Sequence, residues 1–152
     1  MQPQFIHLRM HSEFSVTDST VRLDSAIAQV KDQGVGALGL TDLNNIFGGL
    51  IFYTHARKAG VKPILGCDLV IENSAVRGKP YRMAVLCQDK TGYLTLCEHL
   101  SKKKKKNQYL GRGEVKLDWL FEKHDGLIFL SGGPEGILAQ FCFAEKVARA
   151  HE

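Results

Sequence analysis

The sequence predicts an α/β fold, a partial, barrel-like sheet of about five mostly parallel strands with flanking helices, and three observations predict it. Short apolar segments alternate with amphipathic ones along the chain, the order that builds a parallel sheet covered by helices. No glycine-rich phosphate loop follows the first strand, where an open dinucleotide-binding sheet would carry one. Polar residues collect instead at the ends of several strands: His11, Asp42, Cys67-Asp68 and Ser131-Gly132-Gly133. In a barrel those ends converge on one mouth. Five strands cannot close a parallel barrel of seven or eight, so the chain reads as a truncated barrel or an open sheet.

Each element has its own signal. In Phe5 to His11, Phe5, His7, Arg9 and His11 alternate with Ile6, Leu8 and Met10, the period of a strand with one polar face. Leu23, Ile27 and Val30 give the apolar stripe of a helix over 23–33, and Gly34 stops it. Ala37 to Leu40 is a short buried-strand pattern ending in Thr41-Asp42. A helix over 48–59 ends at Gly60, and Val61 to Ile71 holds the next strand, with Pro63 near its start. Met83 to Cys87 is a strand and 91–100 a helix. A short helix over 117–123, a strand over 127–130 and a helix over 137–150 complete the series. An unclosed barrel leaves edge strands uncovered, which predicts marginal stability or association.

Composition bounds the function. With 44% hydrophobic and 24% charged residues, the chain has the profile of one soluble globular domain. No run approaches the roughly 20 apolar residues of a membrane span, and the first residues lack a secretory pattern. The expectation is a cytoplasmic protein without membrane contact. Cys67, Cys87, Cys97 and Cys142 are widely spaced with no CxxC pair, which suits reduced thiols. The formal net charge of +4 comes from one block, Lys102 to Lys106, without which the balance is slightly negative. Such a block after a helix is a solvated helix end or loop, or else a phosphate-contacting loop.

His7, Arg9 and His11 share a strand face, and Asp18, Asp42 and Asp68 lie near strand ends. Histidines and carboxylates at a mouth are the material of a hydrolytic metal site. Arg9 stands between the two histidines, however, and its charge opposes a divalent cation. The same residues therefore read as a hydrogen-bonded structural cluster, or as a phosphate contact through Arg9. Asp42-Leu43-Asn44-Asn45 reads as a helix-capping turn or as a ligand loop. In Ser131 to Gly136 the glycines permit a tight strand-to-helix turn, with Pro134 starting the helix.

Five stretches then carry a resemblance. Phe5 to Ser15, Gly39 to Gly48, Gly60 to Asp68, and Gly92 to Leu96 with Leu127 to Gly136 resemble, in register, the PHP (polymerase and histidinol phosphatase) domain that opens the alpha subunit of bacterial DNA polymerase III. The likeness is to the degenerate form found in Gram-negative bacteria. It implies that residues 1–152 are the N-terminal part of a seven-stranded PHP barrel, with the polymerase domains and a late Asp-x-His pair absent.

Active PHP domains bind up to three metal ions and act as phosphoesterases, including 3′–5′ exonucleases. Carried over by resemblance, the ligand set is dismantled here. His11 and Asp18 agree with family ligands, and Asp68 replaces a glutamate. Arg9, Leu43, Arg82 and Gly133 stand where the family has His, His, His and Cys. The resemblance thus implies no catalytic residue, no metal and no cofactor for this chain, with Mg2+ belonging to the parent polymerase domain. It implies a structural module whose partners are the rest of the alpha chain, DNA through that parent and the proofreading exonuclease subunit. A residual metal-dependent phosphoesterase and a lysine-rich nucleic-acid-binding module are the alternatives.

Overall fold

In the computed structural model, which describes residues 5–143, the chain forms two compact units, Met1–Cys67 and Asp68–Glu152. Their boundary falls inside one long strand, β2 (Lys62–Ile71).

The first unit holds α1 (Leu23–Asp32), β1 (Ala37–Leu40), α2 (Gly49–Ala59) and the start of β2. Leu23, Ile27 and Val30 of α1 are buried at the expected helical spacing, with Asp24 in the first turn and Lys31 in the last to complement the helix dipole. Gly60 ends α2 in the left-handed conformation (φ 81°), its N–H reaching the carbonyls of Ala56 and Arg57. All four residues of β1 are buried, and β1 pairs with β2 in parallel, Ala37 against Lys62 through Leu40 against Leu65. The crossover through α2 makes that direction possible. Phe52 and Ala56 of α2 join the α1 stripe, Leu38, Leu40 and Val61 in the core. Each fully buried large side chain contributes about 1.5–3 kcal/mol.

Phe5 to His11 departs from expectation. It lies along β1 without forming a strand. Gly39 N–H donates to His7 O at 2.7 Å and Thr41 N–H to Met10 O at 2.8 Å. Three residues on one side therefore span two on the other, which breaks the two-residue ladder. Gly39 permits the approach, since a Cβ there would lie 2.5 Å from Leu8 O. Gly39→Ala should lower stability by about 1–3 kcal/mol, read as a lower urea midpoint.

The second unit holds the rest of β2, then β3 (Tyr81–Cys87), α3 (Lys90–Lys106), β4 (Gln108–Tyr109), β5 (Arg112–Gly113), α4 (Leu117–Glu122), β6 (Leu127–Leu130) and α5 (Ile137–Phe143). The helix expected over 137–150 lies, from residue 144 on, outside the described residues. Asp89 caps α3, its Oδ1 accepting from Gly92 N–H at 2.9 Å. The small β4–β5 hairpin, absent from the sequence reading, turns through Leu110 (φ 50°) and Gly111 (φ 78°), both left-handed as a tight type I′ turn requires.

The partial barrel of about five mostly parallel strands is overturned. β3 and β6 pair antiparallel, Ala84 against Leu130 through Cys87 against Leu127, and β4 and β5 are antiparallel as well. Among the described residues no sheet closes into a barrel; the strands form one four-stranded sheet and the hairpin. The connections explain the difference. A parallel return needs one crossover helix, whereas α3, a hairpin and α4 stand between β3 and β6 and bring the chain back from the opposite end. In the sheet β2 and β3 are neighbours joined only by residues 72–80, too few for a crossover helix.

No helix among the described residues is long and apolar enough to cross a membrane. The four cysteines are free thiols, Cys67 buried and Cys142 exposed. Burial first, then Cys97 and Asp89 nearby, pushes the Cys87 thiol up to about 11. A thiol-alkylating reagent at pH 8 should therefore label Cys142 well before Cys67 or Cys87, as peptide mapping would show.

Candidate functional site

The residues singled out by sequence fall in both units, and each group is engaged locally. In the first unit His11 Nδ1 lies 2.6 Å from Asp18 Oδ2, and Ser19 Oγ donates to the His11 carbonyl at 2.8 Å. Arg9 lines, with His7, a groove against α1 whose lining includes neither His11 nor Asp18.

Asp42 is the hub of the unit. It is 1% exposed. Its Oδ1 accepts from Ser12 N–H at 2.6 Å, Ser12 Oγ at 2.9 Å and Ser15 Oγ at 2.8 Å, and its Oδ2 accepts from Ser12 Oγ at 2.9 Å. Ser15 Oγ in turn accepts from Leu43 N–H at 2.9 Å. Asp42 thus neither caps α2, whose N-cap is Gly48, nor points an open carboxylate outward. The turn belongs to Asn45, whose Oδ1 accepts from Phe47 N–H at 2.9 Å. Sequence reading missed Ser12 and Ser15. Their signal was a pair of hydroxyls at i and i+3, Ser12 capping and Ser15 closing the 3-10 turn Glu13–Ser15, with an Asp just past the end of β1.

In the second unit Asp68 is fully buried, with Arg82 Nη1 3.7 Å from its Oδ2. The Arg82 Nε lies 3.4 Å from Glu135 Oε2, so one guanidinium faces two carboxylates. Gly133 (φ 63°) opens the 3-10 turn Gly133–Glu135. Pro134 sits in that turn and not at the start of α5, as sequence had suggested. A Cβ on Gly132 would lie 2.1 Å from the Arg82 carbonyl, which is why glycine stands there.

His55 and His99 make structural contacts. His55 Nδ1 meets Asp24 Oδ1 at 2.5 Å, joining α2 to α1. His99, buried in α3, uses Nε2 to donate to the Lys123 carbonyl at 2.7 Å, which assigns the proton to Nε2.

The lysine run is helical to its last residue, since α3 continues to Lys106. Four lysines in the last turn suit the negative end of the helix dipole. They are not alike, however. Lys102 Nζ stands 4.4 Å from the centre of the Trp119 ring and 3.7 Å from Glu122 Oε2, and Lys103 is 1% exposed.

A divalent metal needs several converging donors. Here His11 and Asp18 hold each other, a guanidinium faces Asp68, and Leu43 and Gly133 offer no ligand atom. Among the described residues no group of three or more His, Cys, Asp or Glu side chains is placed to hold a metal ion. The residues present do not fit the catalytic metal cluster of active PHP domains.

Comparison with known proteins agrees with the resemblance. The chain is 34% identical to the DNA polymerase III subunit alpha of Haemophilus influenzae, over 97% of this chain and 13% of that protein. It is 39% identical to that of Neisseria meningitidis serogroup A, over 89% of this chain and 12% of that protein. For Escherichia coli K12 the identity is 33% over the same shares, 89% and 12%. The chain therefore spans 12–13% of the length of these relatives. Among solved structures, an amidohydrolase from Chromobacterium violaceum with bound sulfate and no metal aligns with TM-score 0.51 and 18% identity. That alignment covers 66% of this chain and 33% of that one, a likeness of fold. The profile of the PHP domain matches residues 7–152, and the chain belongs to the PHP domain family.

Proposed function

We propose that this chain is the N-terminal PHP module of a replicative DNA polymerase III alpha subunit and serves that polymerase structurally, without catalysing a reaction itself. The observation that carries the reading is the pairing of Arg82 with Asp68. A cation that the protein supplies faces the carboxylate that would otherwise hold a metal, so the charge a metal would bring is already present. Arg9, Leu43 and Gly133 then read as lost ligand positions, and His11, Asp18 and Asp68 as remnants. Polymerisation with Mg2+ belongs to carboxylates elsewhere in the parent, and the proofreading exonuclease subunit is the partner this module would contact.

The test is a 3′-end cleavage assay on the full-length parent with Mn2+ or Zn2+. No metal-stimulated cleavage is expected. Cleavage that needs the metal and disappears in His11→Ala would establish a residual phosphoesterase instead. The lysine-rich nucleic-acid-binding reading loses its footing, because Lys103 is buried and Lys102 lies against Trp119 and Glu122.

A further inference from the structure

In the second unit the end of α3 and the hairpin after it form one surface. Gln108 Nε2 donates to the Lys104 carbonyl at 2.5 Å, which ties β4 to the last turn of the helix. On its other side the hairpin rests on residues 77–78. A Cβ on Gly78 would lie 3.5 Å from the Tyr109 ring, and the Arg77 guanidinium stands 5.0 Å from the centre of that ring. The hairpin is thus held from two sides while its tip projects. Leu110 at the tip is 91% exposed and left-handed (φ 50°), a backbone that suits Gly, Asn or Asp and disfavours a leucine. A leucine there serves neither the turn nor the core. The surroundings are cationic. Lys104, Lys105, Lys106 and Lys116 are exposed. Between Lys102 and Lys116 the sequence has one carboxylate, Glu114, which is buried and met by Arg112.

We infer that this surface docks an acidic protein segment carrying an apolar residue, with its carboxylates on Lys105 and Lys106 and its apolar side chain against Leu110. Charge complementarity sets the sign of the partner. The strained, exposed leucine asks that partner for more than charge. A nucleic acid fits the surface less well. Lysines at successive helical positions diverge by about 100°, so they fan around the helix end and form no row for a strand's phosphates. Tyr109 and Trp119 each already carry a cation on a face where a base would stack, Arg77 at 5.0 Å and Lys102 at 4.4 Å from the ring centre. The inference goes beyond the structural reading above and does not depend on it, since a metal held by His11 and Asp18 would leave this surface unchanged.

Fluorescence anisotropy of the labelled peptide Glu-Asp-Glu-Leu-Glu-Asp-Glu, titrated with the 152-residue chain, tests it. Saturable binding is expected, about fivefold tighter than for the same peptide with Ser in place of Leu. Leu110→Asn should weaken the leucine peptide by about fivefold and leave the serine peptide unchanged. Its urea midpoint should equal or exceed that of the parent chain, because Asn accepts the left-handed turn. A merely structural leucine would instead lower that midpoint. Lys105→Gln combined with Lys106→Gln should weaken both peptides by about fivefold. Lys58→Gln, on the exposed side of α2, should change neither. Oligothymidylate of the same charge should bind more weakly than the leucine peptide. No saturable binding, equal binding of the two peptides, affinity untouched in Leu110→Asn or in the double lysine variant, or tighter binding of oligothymidylate would overturn the inference.

Discussion

Asp42→Ala should lower the unfolding free energy of the chain by about 3–5 kcal/mol, seen as a large drop in the urea midpoint. The carboxylate accepts from a backbone N–H and two hydroxyls while 1% exposed. Alanine strands those donors away from water, at about 1–3 kcal/mol for each one left unsatisfied. It also releases the chain around Ser12 and Ser15 from the end of β1. Asp42→Asn keeps one acceptor oxygen and should cost visibly less. Ser12→Ala and Ser15→Ala remove donor and acceptor relations together, so their losses should be smaller and not additive with that of Asp42. Equal stability of Asp42→Ala and the parent chain would show that the hub carries no weight.

Lys103→Ala should cost about 2–4 kcal/mol, whereas Lys104→Ala and Lys105→Ala should stay within about 0.5 kcal/mol, in the same urea series. The difference comes from place and not from residue type. Lys103 is buried, and its stem packs so closely that a Cβ on Gly113 would lie 3.2 Å from Lys103 Cγ. Asn107, whose N–H donates to the Lys103 carbonyl at 3.1 Å, also reaches Glu72 Oε2 at 2.7 Å and the Glu114 carbonyl at 3.0 Å. Glu114, itself buried, is met by Arg112 at 2.9 Å. Truncation at Lys103 therefore removes buried methylenes from beside an ordered polar network. Equal effects at all three lysines would mean that the run is a solvated tail.

The helical stripes of α1 and α2 were legible because apolar residues at helical spacing bury one face whatever surrounds them. Leu23, Ile27 and Val30 are where periodicity put them. Strand direction was not legible. Nothing in Leu127 to Leu130 says which way it enters the sheet, since direction is set by how many elements precede it and where they end. Alternation misled at Phe5 to His11, where a mismatched pair of hydrogen bonds to β1 replaced a ladder and left Phe5 and Leu8 exposed. The lysine run looked unpatterned because its residues are identical. Its phase was set upstream, however: Thr95, Leu96, His99 and Leu100 form the buried stripe of α3, and Lys103 is its next position. For the candidate site, the resemblance named the residues but not what each would hold. The Asp42 hub depended on Ser12 and Ser15, about 30 residues away in sequence, and such partners become visible only in space.

The central claim is that the charges and ligands of this PHP module hold one another and not a metal. Elemental analysis of the purified chain after exposure to Zn2+ and Mn2+ and removal of loose ions tests it most directly. Metal well below one equivalent, with no change in His11→Ala, is the expected result. Near-stoichiometric metal that is lost in His11→Ala, Asp18→Ala or Asp68→Ala would contradict the account.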